Sequence, residues 1–483
     1  MEHTITEILN PSILYWIIAT IYSITILSII IVILSENRNP VKSLAWVTIL
    51  LLLPAAGLVL YIFFGRNIKN KHMISRRNRR RLKRNNVNII TSHFKSKTLS
   101  TESVQQINLT RSLKGSHYYN HNGIKIYTDG KSKFEDFKND LKNAKKYINL
   151  QYYIFEDDTI GSEIKDILIT KAQEGVKVRV MYDHVGSFQV RNKFFKEMDK
   201  GGVMTHPFFK VSVPLFATRI NWRNHRKICI IDGEIGYIGG MNIADRYISG
   251  GIFPIWRDTH IRVTGPIISA LQYSFTVDWN FLKPTLAQED MIASQPSINA
   301  ENIGMQLLTC GPTSQWNNIA MVFLKAISNA KHSILIQTPY FLPTESLLKA
   351  LQSAALANVK VRIMIPRNSD SKILRFASYS YITECLKAGI KVHLYDAGML
   401  HSKTITIDDE FSSVGSTNFD FRSFEHNFEC SLFIYSHKIN TQMRNTFNED
   451  LKHCTSLNIN TWKKRPILQK ALESITRLLS PIL

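Results

Sequence analysis

Two uninterrupted apolar runs open the pattern. Residues 12–35 carry no charge, and residues 43–64 repeat this after a short polar spacer. Each run is long enough to cross roughly 30 Å of hydrocarbon as a helix. The spacer, 36–42, contains Pro40 and can do little more than turn the chain. The pattern therefore predicts a membrane anchor over 1–65, a hairpin of two transmembrane helices at about 12–35 and 43–64. A cleaved signal peptide needs a basic start and a small-residue cleavage site. The chain starts Met-Glu-His-Thr-Ile-Thr-Glu and the second run follows at once, which favours the hairpin.

Beyond Phe64 the pattern turns to charge. Arg66, Lys69, Lys71, Arg76, Arg77, Arg79, Arg80, Arg81, Lys83 and Arg84 follow with no acid among them. The positive-inside tendency puts this flank, and everything after it, on the cytoplasmic side. The cluster also suits anionic lipid headgroups, at about 1 kcal/mol per basic residue near the surface. A topology signal alone would explain it equally. Residues 85–120 are polar and weakly patterned, so 66–117 reads as a basic juxtamembrane segment and linker.

From about residue 118 the periodicity alternates between 3.6 and 2, and it does so twice. Phe137, Leu141, Ala144, Lys145, Ile148, Gln151 and Phe155 match Phe323, Ile327, Ala330, Lys331, Ile334, Gln337 and Phe341 at a constant offset of 186. Gly175-Val-Lys-Val-Arg-Val-Met matches Asn358-Val-Lys-Val-Arg-Ile-Met at an offset of 183. Gly175 and Asn358 each stand where a helix ends and a strand begins, a junction that favours left-handed backbone. Each half reads helix, strand, helix, strand, then a hairpin. That order predicts an α/β sandwich with a mixed sheet in each half, over 118–294 and 295–483.

The hairpins carry the candidate chemistry. The first is His225-Arg-Lys227-Ile-Cys-Ile-Ile-Asp232, returning to Gly239-Gly240-Met-Asn242; the second is His401-Ser-Lys403-Thr-Ile-Thr-Ile-Asp408, returning to Gly415-Ser416-Thr-Asn418. The two histidines lie 176 residues apart, and so do the two asparagines. On a strand, His225 and Lys227 share one face, as do His401 and Lys403. Each hairpin thus offers an imidazole, a fixed positive charge and amide donors on one surface. Two unrelated hairpins with surface lysines would leave the matching asparagines and the upstream repeat to coincidence.

Composition adds little. Net charge is +22, which points to nucleic acid or an anionic membrane surface. The five cysteines show no C-x-x-C spacing and read as free thiols in a reducing compartment.

Paired H-x-K-x4-D motifs with G-[GS]-x-N resemble the phospholipase D superfamily, from about residue 118 onward. Tyr152-Tyr153-Ile-Phe, Trp256-Arg-Asp258-Thr-His, Gln337-Thr-Pro-Tyr340-Phe and Asn418-Phe-Asp420-Phe-Arg422-Ser423 narrow the resemblance to bacterial cardiolipin synthases. So does the front end, from Leu44-Ala-Trp46 through Pro54 and Gly57 to Tyr61-Ile-Phe-Phe-Gly65. One departure is Gly240, where many superfamily motifs have serine. The resemblance implies two pseudo-symmetric phospholipase D-like halves behind the two-helix transmembrane hairpin. It also implies the joining of two phosphatidylglycerol molecules into cardiolipin, with release of glycerol.

A histidine that attacks a phosphodiester splits one hard displacement into two. A second can protonate the leaving alkoxide and later deprotonate the incoming hydroxyl. By analogy with the superfamily, His225 is the nucleophile and His401 the acid/base; the residues alone do not rank them. Lys227 and Lys403, with Asn242, Ser416 and Asn418, are expected to hold the phosphoryl oxygens. Asp258, 33 residues after His225, and Glu429, 28 after His401, are candidates to orient the imidazoles. Asp232 and Asp408 complete the motifs and are expected to brace the turns and the lysines. No cofactor or metal is implied, because two lysines supply the charge a metal often brings.

Two apolar features stay open between two readings. Residues 207–216, before the first motif, suit acyl chains or a packed loop. Ile467, Leu468, Ala471, Leu472, Ile475, Leu478, Leu479 and Ile482 form a helical stripe after Trp462-Lys-Lys-Arg465, suiting a helix in the headgroup layer or one that closes the second half. The competing functions are a membrane phospholipase D or a transferase to another alcohol, a nuclease of the same superfamily, and a basic scaffold. Ten basic residues beside the span weigh against nucleic acid as a partner.

Overall fold

The computed structural model describes residues 11–35, 40–61, 99–113, 116–210, 222–282 and 301–480. The described residues fall into two units: the N-terminal helices, and the chain from residue 99 onward.

In the first unit, Pro11–Ser35 is one continuous helix, and its span Ser12–Ser35 (mean hydropathy 2.8) is long and apolar enough to cross a membrane. The second apolar run is not one helix. It folds as Pro40–Leu52 and Pro54–Leu60, separated by Leu53 at φ −129° and ψ 65°. The cause is Pro54: a proline has no N–H to give the helix and disfavours helical backbone at the residue before it. Pro40, expected to turn the chain, opens a helix, where its missing N–H costs nothing. Ile26 and Ile33 pack with Leu50 and Tyr61, and Trp46 meets Tyr61 edge-on with ring centroids 5.5 Å apart.

The second unit is organised on one mixed sheet. From one edge inward run Met204–Phe208, Lys177–Asp183, Tyr147–Tyr152, Ile228–Ile231, Ile235–Gly239, His260–Thr264 and Tyr119–Tyr127. The sheet continues through Ile303–Cys310, Glu429–Tyr435, Phe411–Gly415, Thr404–Ile407, Ser333–Gln337, Lys360–Pro366 and Lys391–Tyr395 to Cys454–Ser456. Outer neighbours are parallel, joined by helices, and inner ones antiparallel; the edge strand Cys454–Ser456 is the exception, pairing antiparallel with Lys391–Tyr395. Read from the Tyr119–Tyr127/Ile303–Cys310 seam outward, seven strands on each side follow the same order, and the second side adds the edge strand Cys454–Ser456. Both hairpins form where the motifs predict them. Gly175 (φ +89°) and Asn358 (φ +67°) take the expected left-handed backbone.

One expectation about the linker fails. Within 66–117, Thr101–Ser112 is a helix on the second half, capped by Ser100 and anchored by Gln106 Nε2 donating to the Val322 carbonyl at 2.6 Å. Ile107 is buried, and Ser100 and Ser103 both donate to Glu410. Three of its four buried positions, Ser103, Gln106 and Thr110, are polar, which is why hydrophobic periodicity missed it. Residues 66–98 lie outside the described residues, as do 211–216 of the apolar loop; Phe208 and Phe209 before them are buried.

Candidate active site

The reacting segments are extended backbone just ahead of strands Ile228–Ile231 and Thr404–Ile407, not part of them. Each is pinned by the other half. His225 N donates to the Phe428 carbonyl at 2.9 Å, and Phe428 N donates to the Arg223 carbonyl at 2.8 Å. Met399–Leu400 pairs parallel with Trp256–Arg257, and His401 N donates to the Arg257 carbonyl at 2.7 Å. Phe428 and Arg257 immediately precede Glu429 and Asp258. The carboxylates therefore cross over: Glu429 meets His225 Nδ1 at 2.9 Å and Asp258 meets His401 Nδ1 at 2.7 Å. Spacing along the chain had set each carboxylate after the histidine of its own half. The exchanged backbone pairing reverses that assignment.

Both imidazoles line one cavity of about 590 Å³. Its wall also includes Tyr153, Tyr247, Trp256 and Tyr340, the cations Arg223, Arg246 and Arg422, and the acids Asp370 and Asp420. Tyr153 stands edge-on to His225 at 4.8 Å between ring centroids, and Trp256 lies 5.5 Å from His401. Arg223, Arg246, Tyr247 and Asp370 had no signal in the motifs; they enter through loops that only the fold brings together.

The remaining motif residues separate into those at the cavity and those behind it. Asn242 and Asn418 line it; Asn242 Oδ1 accepts from Ile154 N at 3.1 Å and its Nδ2 donates to the Tyr247 hydroxyl at 2.7 Å. Ser416 is fully buried behind Glu429, donating to its Oε2 at 2.5 Å and accepting from Cys430 N at 3.0 Å. Asp232 and Asp408 stand at the far ends of the hairpins. Asp232 accepts from the backbone N–H of Lys145, Lys146 and Tyr147, and Asp408 from those of Lys331, His332 and Ser333, at 2.7 to 2.9 Å. They brace the turns, as expected, but their bonds run to backbone amides rather than to the motif lysines. Lys227 Nζ donates to the His225 carbonyl at 2.7 Å, and Lys403 Nζ donates to the His401 carbonyl. Among the described residues, no group of three or more His, Cys, Asp or Glu side chains is arranged for a metal ion.

Gly240 has a physical reason. Gly240 N and Ser416 N bond to the carbonyls of Thr259 and Cys430, so the two residues occupy equivalent places. A Cβ on Gly240 would come within 2.1 Å of Asp258 Oδ1. One half thus combines glycine with aspartate, the other serine with glutamate.

Burial sets the electrostatics. It pulls His225 down, and it pulls His401 down to about 4 with help from Lys403, so both imidazoles rest neutral. Burial also lowers Lys227 to about 7 and Lys403 to about 8. Burial pushes both carboxyls up, but Lys403 and His401 outweigh it at Asp258, and His225 and Lys227 at Glu429, holding both below the usual range. Nδ1 of each ring faces its carboxylate, and at His401 also Lys403 Nζ at 2.7 Å; the tautomer that donates Nδ1–H to the carboxylate leaves Nε2 with the reactive lone pair.

The repeat glutamines find their use here. Gln151 Nε2 donates to Asp278 at 2.6 Å, and Asp278 pairs with Arg226 at 2.6 Å. Gln337 Nε2 donates to Asp450 at 2.7 Å, and Asp450 pairs with Arg257 at 2.9 Å. Arg226 follows His225, and Arg257 precedes Asp258, so each buried ion pair stiffens a reacting segment. Removing one partner leaves the other charge buried and uncompensated. Asp278→Ala is expected to cost about 3–5 kcal/mol, read as a lower denaturant midpoint of the purified chain.

The family model described as "Cardiolipin synthase, PLD-like domain" matches residues 137–251 and 323–451, and one described as "Phospholipase_D-nuclease N-terminal" matches 23–66. The chain is 40% identical to the major cardiolipin synthase of Bacillus subtilis, over 97% of this chain and 99% of that one. It is 39% identical to the cardiolipin synthase of Oceanobacillus iheyensis, over 94% and 96%. A crystal structure of phosphatidylserine synthase from Haemophilus influenzae superposes with a TM-score of 0.63 at 15% identity, covering 78% of this chain and all of that one, and so shares the fold. On its motifs, its fold and its full-length relatives, the chain belongs to the phospholipase D-like cardiolipin synthase family.

Proposed function

We propose that the chain transfers a phosphatidyl group between two phosphatidylglycerol molecules, giving cardiolipin and glycerol. The observation that carries this reading is that two neutral imidazoles, each backed by a buried carboxylate, line a single cavity in a member of this family. His225 Nε2 attacks the phosphorus of the first lipid, and its P–O bond to the headgroup glycerol breaks. His401 gives that oxygen its proton, and glycerol leaves. His401 then takes the proton of a headgroup hydroxyl on the second lipid. That oxygen attacks phosphorus, the P–N bond breaks, and His225 is restored. In the empty site His401 is the base the second step needs; the negative charge of a bound diester raises it toward the acid the first step needs. Lys227, Lys403, Asn242 and Asn418 serve the phosphoryl oxygens, and Ser416 acts through Glu429. Incubating the purified full chain with phosphatidylglycerol alone tests this: cardiolipin plus glycerol is expected, and phosphatidic acid as the sole product contradicts it.

The lysines give the reaction a pH signature. A bound phosphodiester favours their charged forms, so their affinities for protons rise on binding. By linkage, binding is then tightest below the free-site value of about 7 at Lys227 and weakens as pH rises through it. The apparent KM for phosphatidylglycerol is expected to rise roughly tenfold per pH unit above that point, until the complex itself titrates. A KM flat from pH 6 to pH 9 would contradict it.

The same reading extends to architecture. The matching strand order supports two pseudo-symmetric halves, 118–294 and 295–483, descended from one duplicated unit. Residues 1–65 form a two-span anchor, its second span broken at Pro54. The basic residues after it lie against anionic lipid with the catalytic body in the cytoplasm. Protease digestion of sealed right-side-out and inverted vesicles tests the orientation: only inverted vesicles are expected to lose the body.

A further inference from the structure

The C-terminal helix Ile467–Leu478 is seated inside out. A two-faced helix that closes a core turns its apolar stripe inward. Here the buried positions are Glu473 and Thr476, with Ser480 just beyond. Arg465 holds Glu473 through two bonds of 3.1 and 2.6 Å, and Gln469 Nε2 adds a third at 2.9 Å. Arg477 reaches Glu384 at 2.6 Å and lies 4.4 Å from the Tyr381 ring centroid, both on the helix Lys372–Lys387. The helix is thus fastened to the body by its polar side. Its other side carries Ile467, Leu468, Leu472, Ile475, Leu478 and Leu479, which are 84, 73, 39, 58, 80 and 40% exposed. At about 100° per residue these six fall on one continuous stripe.

We propose that this stripe is a docking surface for an anionic lipid bilayer, with the helix lying in the headgroup layer and its apolar side at the acyl boundary. Charge selects that occupant. Lys463 and Lys464 are exposed just before the helix, Lys470 lies on it, and Glu473, the single acid in 461–480, is taken by Arg465, while Arg477 is held by Glu384. A second copy packed stripe to stripe would bring two sets of cations together, whereas lipid phosphates neutralise them. The inference rests on membrane association of the chain and not on the transfer chemistry.

The test uses the full chain carrying Ile475→Cys on a Cys454→Ser background, the other four cysteines being buried. The thiol is labelled with an environment-sensitive fluorophore. The protein is reconstituted in phosphatidylglycerol/phosphatidylcholine vesicles containing acyl-brominated lipid. The emission is expected to shift blue and be quenched, and the quenching to fall when phosphatidylglycerol is omitted. The same label at Lys452→Cys, an exposed site on the same body, is expected to stay unquenched. Vesicle-bound protein with no quenching at 475 overturns the proposal. So does a blue shift that grows with protein concentration without bromide quenching, which would assign the stripe to a second copy, and so does quenching indifferent to phosphatidylglycerol. Cardiolipin formation assayed on the same vesicles keeps a failure of the chemistry separate from a failure of the docking.

Discussion

His225→Ala and His401→Ala are each expected to lower cardiolipin formation by about four to six orders of magnitude, with the fold intact. Each imidazole serves both half-reactions, one as the atom that carries the phosphoryl group and the other as the proton carrier. Losing either stops both. Neither ring supports the core: each contacts the cavity on one side and its carboxylate on the other. Initial rates on phosphatidylglycerol vesicles and the near-ultraviolet circular dichroism of the purified variants check this together. Full activity in either variant would leave the paired motifs as scaffold only.

The second large effect concerns a residue with no side chain. Gly240→Ser is expected to reduce transfer by about 100-fold, because its Cβ displaces Asp258 by an ångström or more and the His401 ring loses its aim. The other half shows how the same place accommodates a serine: Ser416 sits there with the longer Glu429, and its hydroxyl bonds to the carboxylate. The double variant Gly240→Ser/Asp258→Glu reproduces that combination. It is expected to recover most of the rate lost by Gly240→Ser alone. A Gly240→Ser enzyme with the original rate, or a double variant no better than the single, would show that the exchange of glycine–aspartate for serine–glutamate is not a matched pair.

Much of the site was legible because it is duplicated. Offsets of 186 and 183 tie Gln151 to Gln337 and Gly175 to Asn358, and a repeated pattern exposes residues that composition hides. The hairpins and the left-handed junctions follow from local chemistry, which the chain states within a few residues. The bracing by Asp232 and Asp408 does not, its partners lying 75 to 87 residues upstream. What the sequence could not show is anything set by strands meeting across the seam. The crossing of Asp258 to His401 and of Glu429 to His225 depends on Phe428 and Arg257 pairing with the opposite half. Nothing near either carboxylate records this. Asp278 and Asp450 are equally silent: each sits on a helix far along the chain from the arginine it holds. The break at Pro54 could have been read, since a proline inside a long apolar run already predicts it. The helix Thr101–Ser112 could not be read from periodicity, because most of its buried positions are polar.

The central claim is that two half-sites make one centre, and the stoichiometry of the intermediate tests it most directly. The full chain is mixed with phosphatidylglycerol labelled at phosphorus and quenched in alkaline detergent within a turnover, and the label on histidine is counted. One phosphohistidine per chain is expected, carried by His225 and lost in His225→Ala. Two labelled histidines per chain, or half of the label and half of the rate surviving in each single variant, would mean that the two motifs work as separate sites.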